Sequence, residues 1–236
     1  YNEQTFTAYQ HNPKNPHSLI TNDVTDISPS TQHDDGLWIS TYYRGIEYLD
    51  ITSGQFTHYN KNTVPGLPCE QTWTVLDGGD GNLYIGHVGS GFSILSLKDK
   101  SVKNFRNEAG NPMSLPGNDV FCIIKDANGN IWLGTNNGLA LYDAANENFI
   151  TFKKNKNDKY DTLCSRILSI RQLKDNKLWI ASELNGIAIL NLKQSMFLSP
   201  EEISLEYIQE GDDSRSLSNA SARCIFQDSF DNIWIG

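Results

Sequence analysis

Hydrophobic and polar positions fall into short alternating runs along this chain, and the runs repeat. The clearest unit is Asp126 to Asp143, DANGNIWLGTNNGLALYD. Ile131-Trp132-Leu133 is a β-branched and aromatic run. Asp126, Asn128 and Gly129 bound it on one side, and Asn136, Asn137 and Gly138 on the other. Leu139-Ala140-Leu141-Tyr142 follows as a second run. Short apolar runs bracketed by Asn, Asp and Gly predict strands joined by tight turns.

The same pattern occurs five times. Its aromatic centre falls at Trp38, Tyr84, Trp132, Trp179 and Trp234, at intervals of 46 to 55 residues. A glycine and an apolar run come next, at Gly45-Ile46, Gly91-Phe92, Gly138-Leu139 and Gly186-Ile187. A further strand is predicted at Phe56 to Tyr59, Val102 to Phe105, Phe149 to Phe152 and Leu205 to Ile208. The first strand of each copy is marked by Ile27, Val75, Ile123, Ile170 and Ile225. Leu19, Leu67, Leu115, Leu163 and Leu217 precede them. Each copy therefore holds four strands, a to d.

Repeats near this length, four strands each and without helical periodicity, predict an all-β fold: a β-propeller of four-stranded antiparallel blades. The expected blades are 19–59, 67–105, 115–152 and 163–208. Residues 1–10 are expected to be the last strand of a preceding blade, with Phe6 and Tyr9 at the strand-d spacing. Residues 217–236 are expected to be the first two strands of a further one. The strand-b tryptophan is expected to sit as core between blades, and glycines such as Gly86 and Gly134 to permit close backbone approach. These bounds are expected to be one propeller region, an incomplete part of a longer ring. One helical turn is expected at 199–202, where Ser199, Pro200 and Glu202 resemble a capping box.

Charge narrows the partners. The net charge is −9, and the basic residues are scattered. Nucleic acid and anionic membrane surfaces are excluded as partners, since both require clustered Lys or Arg. No apolar run is long enough to span a bilayer. The chain opens at Tyr1 rather than Met, so the absence of a signal peptide says nothing about export. The four cysteines have no metal-ligand spacing and are expected as small buried hydrophobes. The five histidines show no metal spacing either, and His33 and His58 are expected in exposed turn and strand positions. The aspartates at 77, 126 and 228 lack the alternation of a calcium loop and are expected to form turns. No metal and no cofactor is expected.

Asp126, Gly129, Ile131, Trp132, Leu133, Gly134, Thr135, Gly138 and Leu139, with the lead-in Ser114-Leu115-Pro116 and Asn118-Asp119-Val120, resemble the two-component regulator propeller repeat. The resemblance covers almost the whole chain. Tyr84 in place of tryptophan, and the missing glycine before Leu178, are departures that bear on blade geometry. The resemblance implies a seven-blade ring in the periplasmic sensing region of a hybrid histidine kinase, within an inner-membrane protein. It implies transcription-regulating parts elsewhere, adjoining sensor domains, a homodimer and an oligosaccharide ligand. It implies no catalysis by this segment.

Ligands of propellers meet the face built by the b–c turns and the starts of strand a. Those turns vary here while their flanks repeat, which is how a rigid scaffold carries a specific site. The candidate ligand-binding residues are Tyr42, Tyr43, Arg44, Trp73, His87, Asn136, Asn137, Glu183 and Asn185. Tyrosines and an arginine fork suit sugars or uronates. Core packing is the competing role for Trp73, and ordinary solvated turns for the rest. Two other functions compete. A glycosidase or lyase would need convergent acid and base groups, for which Asp23, Asp119 and Glu183 are the acidic candidates. A protein-interaction scaffold would need no small ligand.

Overall fold

The computed structural model describes residues 6–152, 161–192 and 205–236. They are all-β apart from one 3-10 turn at Thr162–Cys164. Two compact units divide the chain: Tyr1–Ile85 with Ser93–Lys103, and Gly86–Phe92 with Asn104–Gly236.

In the first unit, β1 (Val24–Pro29), β2 (Gly36–Thr41), β3 (Gly45–Asp50) and β4 (Gln55–Tyr59) form one antiparallel sheet in chain order. The next four strands, β5 (Thr72–Asp77), β6 (Asn82–His87), β7 (Phe92–Ser96) and β8 (Val102–Phe105), form a second sheet in the same order, of which Gly86, His87, Phe92, Asn104 and Phe105 belong to the second unit. In the second unit, β9 (Val120–Lys125), β10 (Ile131–Thr135), β11 (Gly138–Asp143) and β12 (Asn148–Thr151) repeat the arrangement. So do β13 (Ile167–Gln172), β14 (Lys177–Ser182), β15 (Ile187–Asn191) and β16 (Leu205–Ile208). A two-stranded sheet of β17 (Ile225–Gln227) and β18 (Ile233–Ile235) comes last. Meandering four-stranded sheets are the blade unit of a propeller.

Register explains the repeated residues. Strand a carries a bulge at the same place in three blades, between Val24 and Asp26, at Phe121 opposite Gly134/Thr135, and between Ile167 and Ser169. A bulge re-aims the side chains at its end of the sheet. Gly45 opens β3 at φ 83°, and a Cβ there would lie 2.5 Å from the Tyr59 carbonyl. Only glycine meets both demands. A Cβ on Gly134 would come within 2.5 Å of Cys122 Sγ, so strand a can lie close against strand b.

The cores lie between successive sheets. Trp38 and Ile46 of one sheet pack with Val75, Leu83, Ile85 and Leu95 of the next, under the lead-in Leu67. Trp132, Leu139 and Leu141 pack with Ile167, Ile170, Leu178 and Ile180, under Leu163. Ala181, Ile187 and Ile189 pack with Ala222 and Ile225, and the half-buried Trp179 joins them. Trp234 stays 61% exposed, against the expected core role.

Two further expectations differ from the structure, and a third falls outside the described residues. Residues 6–10 carry no strand: Phe6 is fully exposed, and Tyr9 meets Phe56 edge-on at 5.7 Å. An outer strand needs the edge of a strand c beside it, and no described strand offers one there. The cysteines are not uniformly buried: Cys69, Cys122 and Cys164 are half-buried and Cys224 is exposed. The helical turn expected at 199–202 lies outside the described residues.

Candidate functional site

The candidate residues divide between the two units. In the first, Tyr42, Tyr43 and Arg44 form the turn between β2 and β3, and Trp73 stands in β5. The Tyr42 amide donates to the Asp23 carbonyl at 3.1 Å, which ties the turn to the start of strand a. Tyr42 meets Tyr43 edge-on at 4.3 Å between centroids, and Trp73 edge-on at 6.0 Å. Tyr43 is exposed, and Tyr42 and Trp73 are half-buried. Three rings at such angles present faces in more than one direction.

Arg44 borders a recess of about 520 Å³ lined also by His11, Ile20, Thr21, Asn22 and Asp23. Polar donors and acceptors therefore lie beside the aromatic cluster. The segment carrying them is tightly held. The His11 amide donates to Asn22 Oδ1 at 2.8 Å, and His11 Nδ1 lies 2.8 Å from the Leu19 carbonyl.

The remaining candidates belong to the second unit. His87 is fully buried at the end of β6, which removes it from a solvent-facing surface. Asn136 and Asn137 form an exposed turn, and their side chains serve the fold. Asn136 Oδ1 accepts the Asp119 amide at 3.2 Å, and Asn137 Nδ2 donates to the Pro116 carbonyl at 3.0 Å. Asn185 is half-buried; its amide donates to Ser182 Oγ, and its carbonyl accepts from Thr162 Oγ1 and Gln209 Nε2.

Glu183 is gripped by two arginines, Arg166 at 3.1 Å and Arg223 at 3.7 Å, and Arg166 lies over the Phe121 ring at 4.6 Å. Asp119 Oδ1 accepts the Gly89 amide at 2.6 Å. Both carboxylates act here as acceptors of fixed donors.

The turn aspartates hold something the sequence did not disclose. Asp126 Oδ1 accepts the amides of Asn128 and Asn130, and Oδ2 accepts Trp132 Nε1 at 2.9 Å. Asp228 repeats this with Phe230, Asn232 and Trp234 Nε1, also at 2.9 Å. Those donors, the indole first, hold the Asp228 carboxyl down to about 2. Asp77 instead serves the preceding blade. It accepts Trp38 Nε1 at 3.1 Å, the Thr31 amide and hydroxyl, and the Gly79 amide. The signal was an aspartate six residues before Trp132 and before Trp234; Gln32 and Leu173 stand at that spacing before Trp38 and Trp179.

Sequence missed one more pair. Glu47 is fully buried, and its Oε1 lies 3.1 Å from His58 Nδ1. The signal was a glutamate where the other complete copies carry Ser93, Ala140 and Ala188.

Comparison with known proteins places this architecture. The family model "Two component regulator propeller" matches residues 114–137 and 216–236. The chain is 60% identical to the extracellular domain of the hybrid two component system BT3049 from B. thetaiotaomicron. It superposes at a TM-score of 0.83 over 99% of its own length and 28% of that chain. The corresponding domain of BT4673 from the same organism is 18% identical, with a TM-score of 0.70 over 94% of this chain and 27% of that one. That second likeness speaks to the fold alone. "Histidine kinase P4" of Formosa agariphila is 33% identical over 94 residues, 38% of this chain and 7% of that protein. The chain thus spans less than a third of the length of each of these relatives. Among the described residues no helix is long and apolar enough to cross a membrane. With its antiparallel blades and indole-capping turns, the chain carries two-component regulator propeller repeats at residues 114–137 and 216–236.

Proposed function

We propose that this segment is a periplasmic sensing module of a hybrid two-component regulator, and that its ligand is an oligosaccharide bound where blades one and two meet. The observation that carries the ligand reading is the Tyr42–Tyr43–Trp73 cluster beside the recess at Arg44. Sugar faces stack on exposed rings, and a guanidinium fork grips hydroxyls or a uronate carboxylate. The likeness to extracellular domains of hybrid two component systems supports the sensing role. The same likeness supports binding without turnover, as does the engagement of Asp119 and Glu183 with fixed donors. Signalling would proceed as a population shift: ligand favours one arrangement of propellers, and a homodimer passes it across the membrane.

The test is a melting-temperature titration with neutral and acidic oligosaccharides. At a hundredfold excess over Kd a true ligand adds about 2.7 kcal/mol. Trp73→Ala and Arg44→Ala should each abolish that gain. No response to any sugar, with tight binding to a protein partner, overturns the ligand reading. Sugar turnover overturns the sensing one.

A further inference from the structure

The lead-in segments of blades one and three are near copies. Asn15-Pro16-His17-Ser18-Leu19-Ile20-Thr21-Asn22-Asp23 matches Asn111-Pro112-Met113-Ser114-Leu115-Pro116-Gly117-Asn118-Asp119. They dock on their own blades by the same bonds. The Phe56 amide donates to the His17 carbonyl, and the Phe149 amide to the Met113 carbonyl, both at 2.9 Å. His58 Nε2 lies 2.8 Å from the Pro16 carbonyl, where Thr151 Oγ1 donates to the Pro112 carbonyl at 3.1 Å.

The difference lies across the sheet. Thr151 pairs with Ala140, whereas His58 pairs with Glu47. Position 20 differs as well. The Ile20 amide donates to Glu47 Oε2 at 3.2 Å, while Pro116 has no amide hydrogen to satisfy. Blade one therefore replaces a set that cannot titrate with one that can.

The protons can be counted. The Pro16 carbonyl only accepts, so His58 Nε2 carries hydrogen. Glu47 Oε2 is occupied by the Ile20 amide. One proton must then lie between Nδ1 and Oε1, on either atom. Without it a buried carboxylate faces an imidazole lone pair. The titratable groups acting on Glu47 are His58 of β4 and His11 of the lead-in segment.

We propose that Glu47 and His58 are positioning residues which share this proton as a latch. The latch holds residues 16–20 against blade one and so sets the wall of the recess at Arg44. The coupling to ligand rests on the function proposed above; the latch itself does not.

Burial pushes the Glu47 carboxyl above its ordinary 4.5, with His58 pulling the other way. The latch is present while that one proton is shared and is lost as pH rises through the raised value.

Amide hydrogen exchange tests this without ligand, using Phe149 of blade three as the internal standard. The ratio of Phe56 to Phe149 protection should fall with rising pH, by at most tenfold per pH unit for one proton. The triple variant Ile20→Pro, Glu47→Ala, His58→Thr gives blade one the blade-three set, and its ratio should stay flat. Glu47→Gln, which has no carboxyl to hold the shared proton, should not show the wild-type fall. A flat wild-type ratio, or the same slope in the triple variant, overturns the latch. Ligand affinity that ignores pH while the ratio falls overturns the coupling. Failure of every sugar at every pH overturns the proposed function and leaves the latch standing.

Discussion

Trp132 and Trp179 hold the same place in the second strand of successive sheets, yet their indole nitrogens have opposite fates. Trp132 Nε1 donates to Asp126, six residues earlier. In the later sheet Leu173 stands at that spacing, and the buried Trp179 Nε1 finds no acceptor among the described residues. The neighbouring Asp228 is already taken by Trp234. The first unit shows a third solution, in which Trp38 borrows Asp77 from the next sheet. Tyr84 makes that loan possible: it has no ring N–H, and its hydroxyl donates to Asp80 instead. A repeat thus keeps its ring by packing and keeps or loses its polar bond by what lies nearby.

The largest test of this contrast is ring removal. Trp132, 1% exposed, should cost about 3–5 kcal/mol as Trp132→Ala. Trp234→Ala should cost far less by chemical denaturation, since that ring is exposed. If the two are equal, burial is not what the repeat spends its tryptophan on.

Removing the borrowed acceptor comes next. Asp77→Ala strands the Trp38 indole and the Thr31 and Gly79 amides, and should cost about 3 kcal/mol. Trp38→Phe in that background should cost less than in the wild type, because the orphaned N–H goes with it; a double-mutant cycle reads the difference.

A finer cut keeps the ring and deletes its nitrogen. Trp132→Phe should cost about 2 kcal/mol more than Trp179→Phe, the worth of a hydrogen bond to a carboxylate. Equal losses would mean that Trp179 has an acceptor in solution.

Acid gives the smallest effect. Burial alone would raise Asp77, but the bonds from Thr31, Gly79 and Trp38 outweigh it and hold the carboxyl below its ordinary 3.8. Its contribution is present above 3.8 and lost as pH falls through the lowered value. The stability gap between wild type and Asp77→Asn should therefore narrow only below pH 3.8.

The strand-and-turn repeat was legible because each part is local. Asp126, Asn128 and Gly129 make their turn with one another, and Ile131 to Leu133 pattern a strand without outside help. The glycine opening each strand c was legible too, and the Gly45 backbone shows why it is required. His58 was expected in an exposed strand position because nothing nearby in sequence hints at Glu47. Strand register sets the two opposite each other, and a segment some 40 residues upstream covers them. Among the candidate residues, the Tyr42–Tyr43–Arg44 turn was visible as variation between constant flanks. That Trp73 completes its cluster follows from two sheets packing together.

By itself the sequence determined the strands, their turns and their period, because alternation, Asx turns and glycine act over a few bonds. The tertiary structure alone decided which carboxylate meets which indole, which histidine meets a buried glutamate, and which rings share a surface. Those pairings join residues far apart in the chain. They depend on distances of a few ångströms that only packed sheets can set.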